Sequence, residues 1–471
     1  MKIIDLTKTE NIDETVKVLQ VEKEGKPSLE TLKKEWNVKD HRVITDKEFL
    51  KDKPLKNARG EQTGTKFVNR IAGPFQKMIV NRAVSFGFAN PVEMDTKAYD
   101  AGTPEDKIIK AIEKILYSNK TKILDRQIAR ELYRATEVAE VWYYVKSETH
   151  EDYGFPCNYK IKVKVLKPWE NDVLYPKFNE FDDMVAFSRG FTVVRDGKKV
   201  EMLDVYTDEE MKRYSKGETG WIEEKIDVEK NVIDKIPVIY ATQDQAEWSD
   251  VQYDIERLEL LFSKHAEIND YHASPKTFIK GTLTSTPEAG EANGILQGGI
   301  DSDMKVISWG QSPDSIKLEI ETRLENIHKF TQTPDISFKS IKSMNQISGV
   351  MLKMLFMDAH LKVMEKSEIW EGYFQRRYSV LKSIIGKLLQ PSWEKLIGEI
   401  EIEPVIRPYM ILDEKEHIEN LMTANGNKPL IAQKTAIKQS GLTVDAEQEY
   451  LEIQNEEKAS NLYDITEITQ P

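Results

Sequence analysis

The chain has 471 residues, with 80 Asp and Glu against 67 Lys and Arg, for a net charge of −13. That balance argues against tight, salt-sensitive nucleic-acid binding over a broad surface, which needs clustered cations to displace counterions. No run approaches the roughly eighteen apolar residues of a membrane helix, so no membrane partner is expected, and the single Cys157 excludes an internal disulfide and a multi-cysteine zinc site.

Length predicts two to four domains. MKIIDLTKTENIDE lacks the apolar core of a signal peptide, so a cytoplasmic site of synthesis is expected. Residues 1–55 are polar with alternating charges and read as an arm, with one helix at PSLETLKKEW; Asp52 to Gly64 reads as a weakly basic loop. From Thr65, KFVNRIAGPFQKMIVNRAVSFGF has the spacing of an amphipathic helix (Phe67, Ile71, Phe75, Met78, Ile79), which Gly73-Pro74 should kink or split. Pro104 opens a helix at EDKIIKAIEKILYSN, and KTKILDRQIARELYRATEVAEVWYYVKSE predicts another that runs into a strand around Val141 to Val145.

From Tyr159 to Tyr240 the period changes to two. KIKVKVLKPW, VLYPKF, MVAFSRGFTVV, KVEMLDVYT, TGWIEEKI and KIPVIYA predict six strands of one antiparallel module, with a turn at Asp196-Gly197. DQAEWSDVQYDIERLELLFSKHAEINDY is a helix whose face carries Val251, Ile255, Leu258, Phe262 and His265. SPKTFIKGTL and DMKVISWG follow as two strands, and TSTPEAGEANGILQGGIDS between them is too polar and Gly-rich to be either element. A second helix starts at SPDS, with Ser312 or Asp314 as cap, and its apolar face is Ile316, Ile320, Leu324 and Ile327.

TQTPDISFKSIKSMNQISG breaks the pattern into a loop made cationic by Lys339 and Lys342. Asn345, Ser348 and Gly349 cap the next helix, VMLKMLFMDAHLKVMEKSEIWEGYFQRRYSVLKSIIGKLL, roughly 60 Å long at 1.5 Å per residue. Its stripe (Ile347, Met351, Met354, Leu361, Met364, Trp370, Phe374, Leu381, Ile384, Leu388) is interrupted near Gly372, where a bend or a change of packing partner is expected. GEIEIEPVIRPY returns as one strand. The remainder is helical in pattern, with Gly426 and Gly441 as helix ends. From Gln390 onward 16 acids face 7 bases, a difference of −9 that holds most of the excess negative charge.

The order of these pieces resembles the SPP1-type family of tailed-bacteriophage portal proteins. The resemblance is carried by IPVIYATQDQAEWSDVQYDIERLELLFSKHAEINDY leading into SPKTFIKG, the helix ending at TQTPD, the NQISGVMLK turn, and EIEIEPVIRPYMILDEKEHIENLM, over about Lys56 to Leu421. It implies a mixed α+β fold, mainly α. The expected parts are an arm (1–55), a wing (56–243 and 391–411), stem helices (244–272 and 313–333) flanking a clip (273–312), a tunnel loop (334–348), a long helix (349–390) and an acidic crown (412–471). It further implies a virion protein at one capsid vertex, assembled in the bacterial cytoplasm as a homo-oligomeric ring, a dodecamer. The implied partners are the terminase large subunit, a head–tail adaptor, major capsid and scaffold proteins, and double-stranded DNA in the channel.

In that family the loop after the second stem helix sits close to DNA. Lys339 and Lys342, with Ser337, Ser340 and Ser343, are then expected to meet phosphates; a solvated basic loop is the alternative. Lys276, Phe278, Lys280 and Trp309 are expected to dock the motor and adaptor; the alternative is that Phe278 and Trp309 form the small module's own core. Glu399, Glu401 and Glu403 alternate along a strand, as do Asp301 and Asp303. Such pairs hold Mg²⁺ in nucleases, but a plain solvated strand face is the simpler reading and the one expected.

His265, His272, His328 and His360 have no second ligand at i+4, so no metal is expected. There is no GxxxxGK[ST] and no GxSxG, so no cofactor or catalytic residue is expected, and energy for DNA movement must come from another protein. The competing readings are a metal-dependent nuclease using Glu399 to Glu403, and a helical scaffold or adaptor that never binds DNA.

Overall fold

Charged sequence still folds into helix where a distant apolar surface waits for it, as the N-terminal stretch demonstrates. The computed structural model describes residues 12–20, 25–57, 59–226, 230–272, 276–281, 283–285, 297–298, 303–307, 313–336, 354, 356–409, 422–423, 432–443 and 445–467. Within it, α1 (Ile12–Leu19) forms in a segment that the sequence reading leaves without structure, because Val16 and Leu19 pack on Ala186, Leu203, Val205 and Tyr214. α2 (Leu29–Trp36) matches expectation, its first turn capped by the Ser28 hydroxyl, which accepts from the Thr31 N–H at 3.2 Å. A single turn, α3 (Arg42–Thr45), follows.

The loop expected from Asp52 to Gly64 is instead a hairpin of β1 (Lys53–Lys56) and β2 (Gln62–Lys66). Asn57 Oδ1 closes it, accepting from the N–H groups of Arg59 at 3.0 Å and Glu61 at 2.9 Å. Nearly every strand residue is exposed on both faces, so no alternation marks the hairpin in the sequence. α4 (Phe75–Phe88) begins only after Pro74. Gly73-Pro74 stops the expected helix rather than kinking it, and Phe67 and Ile71 are left exposed.

β3 (Glu93–Asp95) leads to α5 (Pro104–Ser118), capped by Thr103, and to α6 (Thr121–Ala135), which ends at Thr136 with φ 65°. The next eight strands are β4 (Glu137–His150), β5 (Cys157–Leu166), β6 (Val173–Phe178), β7 (Met184–Arg195), β8 (Lys198–Tyr206), β9 (Met211–Lys216), β10 (Trp221–Glu224) and β11 (Val238–Thr242). They form two antiparallel sheets in place of one module, in the orders β10-β9-β8-β7-β6 and β11-β4-β5. β9 (MKRYSK) goes unread in the sequence, because among its charges only Tyr214 is fully buried. The turn at Asp196-Gly197 is present, with both residues at positive φ (51° and 77°).

α7 (Gln252–His272) is followed by β12 (Lys276–Lys280), β13 (Leu283–Ser285), β14 (Gln297–Gly298) and β15 (Asp303–Ile307), then α8 (Pro313–Phe330). β12 pairs with β15 as expected; β13 and β14 add a second pair inside the stretch read as neither element. Of the expected long helix, residues 349–353 and 355 lie outside the described residues. Phe356 sits in a turn, and α9 (Met357–Ile384) spans about 42 Å before a π turn at Ile385–Leu389. The helix runs through Gly372 unbroken; what changes there is the packing. Leu361 and Met364 of the expected apolar stripe are exposed, whereas Trp370, Phe374 and Leu381 are buried.

α10 (Glu394–Glu399) and β16 (Glu403–Val405) follow, β16 pairing with β3 as the expected returning strand, and α11 (Gln433–Ser440) and α12 (Ala446–Glu467) close the described chain. Gly441 ends α11 at φ 68°; Gly426 lies outside the described residues. Two compact units result, Met1–Pro334 with Asp358–Pro408, and Asp335–Met357 with Tyr409–Pro471.

The main core of the first unit joins α4, α5, α6, α7, β4 and α9. Inside it, Arg377 of α9 pairs with Glu140 of β4 through Nε at 2.7 Å and Nη2 at 2.9 Å, and its Nη1 stands 2.8 Å from Asp125 of α6. The guanidinium also lies 4.7 Å over the Phe374 ring. Burial pushes the Asp125 carboxyl up to about 6; Arg377 opposes the shift and Glu140 adds to it.

Candidate functional site

α8 stops where its sequence turns to Thr331-Gln332-Thr333-Pro334. Gln332 takes φ 52°, and the Thr333 N–H donates to the His328 carbonyl at 3.0 Å, which closes the helix end. Both threonines are buried. The Thr331 hydroxyl donates to the Ile327 carbonyl at 2.6 Å and lies 2.7 Å from the Thr333 hydroxyl. His328 Nδ1 lies 2.9 Å from the Thr333 carbonyl oxygen and 3.1 Å from Arg82 Nη1.

Two cations from elsewhere grip this end. Arg82 of α4 donates to the Pro334 carbonyl at 3.0 Å, and Lys362 of α9 to the Thr331 carbonyl at 2.9 Å. Cations at the end of α8 also oppose its negative dipole pole.

Lys362 reaches further, to the buried carboxylate of Glu247 between β11 and α7. Lys366, one turn on, stands 2.7 Å from Glu247 Oε1 as an ion pair, off the hydrogen-bonding line, and donates to Gln243 Oε1 at 3.3 Å. Burial alone would raise the Glu247 carboxyl. The two lysines outweigh it and hold the group below its ordinary value, so it is ionised. Next to it, Trp248 is fully buried and donates its indole N–H to Glu35 at 2.8 Å. The Lys362 ammonium, bound to Glu247 and to the Thr331 carbonyl, thus ties the approach to α7, the end of α8 and the start of α9 into a single foot.

α7 and α8 are further joined by Arg257 and Glu319, a fork with contacts of 2.9 and 3.2 Å, and by Arg323 and Asp254 at 2.6 Å. Of the expected apolar faces, Val251, Ile255, Leu258 and Ile327 are buried, while Ile316, Ile320 and Leu324 are only partly so.

Sequence reasoning missed the foot. The helix expected from Asp244 begins only at Gln252, so the segment that carries Glu247 is not the helical turn the sequence predicts. The available signal is Lys362 and Lys366 at i and i+4, a like-charge pair that destabilises a helix unless an anion sits between them.

Of the residues expected to act, Ser337, Lys339, Ser340, Lys342, Ser343, Asn345, Ser348, Gly349 and Trp309 lie outside the described residues. Lys276, Phe278 and Lys280 occupy alternate positions of β12, opposite Ile307, Lys305 and Asp303 of β15. The nuclease constellation does not assemble as expected. Glu399 ends α10, Glu401 is exposed, and only Glu403 is on a strand. Asp301 lies outside the described residues, and no group of three or more His, Cys, Asp or Glu among those described is placed to hold a metal. Cys157 is buried 3.6 Å from His150 Nε2, and burial raises its thiol above the ordinary value, which opposes thiolate formation.

A family model described as phage portal protein, SPP1 Gp6-like, matches residues 16–462. The chain belongs to this family of phage portal proteins. No curated protein matches it significantly. Among solved structures it is similar to a chain described as the neck of an empty GTA particle computed with C6 symmetry, at 10% identity over 86% of this chain and 94% of that one, with a TM-score of 0.42. As a portal protein the chain is a head–tail connector of a phage particle, and its family is structural rather than enzymatic. No described helix is long and apolar enough to cross a membrane.

Proposed function

We propose that this portal protein assembles as a dodecameric ring at one capsid vertex of the virion. Double-stranded DNA enters through the ring, driven by the terminase large subunit, and later leaves through it. In this reading α7 and α8 are the stem, the strands β12 to β15 are the clip that meets terminase and then the head–tail adaptor, and the two sheets with α5, α6 and α9 are the wing against capsid and scaffold proteins. The C-terminal helices are the crown. Residues 334–348 are the tunnel loop, where Lys339 and Lys342 meet phosphates and Ser337, Ser340 and Ser343 act as small donors.

The observation that carries this reading is the foot. Lys362 binds both the last turn of α8 and Glu247, so the chain enters residues 334–348 from a fixed root. A loop leaving a rigid root meets a passing duplex at a defined radius, which a short-range contact between ammonium and phosphate requires. The partly buried faces of α8 add support, since neighbouring copies in a ring would complete their burial.

Native mass spectrometry with negative-stain top views tests the ring. A closed ring with a hole wide enough for duplex is expected, and a stable monomer or dimer that cuts DNA with a divalent metal overturns it. For the loop, Lys339→Ala with Lys342→Ala should impair DNA packaging or retention. Unchanged packaging and retention would discard the phosphate contact.

A further inference from the structure

The exposed side of α6 carries charge of one sign. Its outward cations are Lys122, Arg126 and Arg130, while both its acids are buried, Asp125 beside Arg377 and Glu131 against the Trp169 N–H and Arg134, which turns back over the Trp169 ring. Lys122, Arg126 and Arg130 follow at i, i+4 and i+8, and none of the three has a carboxylate partner among the described residues. Arg126 Nε donates to the Lys122 carbonyl at 3.2 Å, and Arg130 Nε to Asn81 Oδ1 at 3.4 Å. Asn81 belongs to α4, and residues 67–92 contain no Asp or Glu; Lys77 of that helix stands 5.9 Å over the Trp36 ring. In a chain of net charge −13, two packed helices therefore share a cationic outer surface whose own acids are absent or buried.

Such a row destabilises its helix through like-charge repulsion. Burial, then Arg134 and Arg126, push the Arg130 guanidinium below its ordinary value, so its neighbours within the subunit do not neutralise it.

We propose that Lys122, Arg126 and Arg130, with Lys77, form a second binding surface for the backbone of double-stranded DNA, separate from the tunnel loop. Four residues of helix set successive cations about 6 Å apart. That suits neighbouring phosphates of one strand, which rise about 3.4 Å along the axis while turning around it. Arginine at two of the three row positions supplies planar forks that grip phosphate oxygens in pairs. An acidic patch on a second copy offers the same charge. A protein interface, however, needs an apolar or aromatic centre, and the row is flanked on α6 by Ile123 alone, whereas DNA interfaces are polar and positive.

The inference rests on the proposed passage of DNA for its setting, and its test needs no packaging. Full-length portal is titrated onto a fluorescent mixed-sequence duplex between 50 and 200 mM salt. Arg126→Gln with Arg130→Gln should weaken binding by on the order of a hundredfold at 50 mM and lower the slope of log K against log salt by about 1.8. Glutamine keeps helix propensity, and an unchanged circular dichroism melt verifies folding. Lys339→Ala with Lys342→Ala is measured beside it, so a failure of the loop reading appears in that variant alone. Equal affinity and slope for wild type and the double Gln variant would overturn the proposal, as would a wild type that binds no duplex. Loss of the ring in the double Gln variant with DNA binding retained would also overturn it, assigning the row to a contact between copies.

Discussion

α9 carries two buried ion clusters about four turns apart, and they are electrical opposites. At Lys362 and Lys366 one carboxylate, Glu247, serves two ammonium groups; at Arg377 one guanidinium serves two carboxylates, Asp125 and Glu140. Burial is severe in both. What differs is the number of partners per buried acid. Glu247 has two cations and stays below its ordinary value, while Asp125 shares one cation with a second acid and is pushed up to about 6. Desolvation therefore decides only where countercharge is scarce.

The sharpest way to break this contrast is Arg377→Met. It leaves Asp125 and Glu140 buried together, and urea denaturation at pH 7 should record a loss of about 3–5 kcal/mol. A pH series comes next. A carboxyl whose folded value lies above its unfolded 3.8 binds its proton more tightly in the folded state. The Asp125 contribution is thus fully present below that unfolded value and is lost as pH rises through about 6. A rise from 3.8 to about 6 corresponds to about 3 kcal/mol, so the stability of wild type relative to Asp125→Asn should fall by up to that amount between pH 4 and 7. A difference that stays flat over the series would remove the raised carboxyl. Glu247 runs the other way, its contribution present above the ordinary value of 4.5 and lost as pH falls through its lowered one.

Glu247→Gln is expected to cost less than Arg377→Met, about 2 kcal/mol, because Lys362 and Lys366 keep slight exposure and can turn toward water. A thermal melt equal to that of Arg377→Met would erase the distinction between the clusters. The smallest effect belongs to the solvent-facing pairs of α7 and α8. Arg323→Ala should cost roughly 0.5 kcal/mol, and a denaturation series in rising salt should shrink it further.

Much of the fold was legible because its signals are local. Pro104 announces α5, Pro313 announces α8, Asp196-Gly197 announces the β7 to β8 turn, and the succession of α7, β12, β15 and α8 follows from period and punctuation alone. The misses share a cause in distant partners. α1 owes its existence to a sheet nearly two hundred residues away, and the exposed hairpin of β1 and β2 has no buried face to impose alternation. In the first turns of α9 the apolar stripe pointed to the wrong side, though from Trp370 onward it is buried as expected. Ala359, Lys362 and Val363 face inward, and Leu361 and Met364 outward, because a carboxylate and a helix-end carbonyl wait for Lys362. The foot was illegible for the same reason, since the like-charge pair Lys362 and Lys366 signals a missing anion without saying that Glu247, more than a hundred residues earlier, supplies it.

The double hold on the end of α8 has a mechanical meaning. A pull on the chain beyond Pro334 meets Arg82 at one carbonyl and Lys362 at another, so the load divides between α4 and α9 before it reaches the hydrogen-bond ladder of α8. Two charge-assisted bonds loaded in parallel each carry part of the tension. Unravelling the helix from its end would require both to rupture, which makes the end of α8 a clamp rather than a hinge.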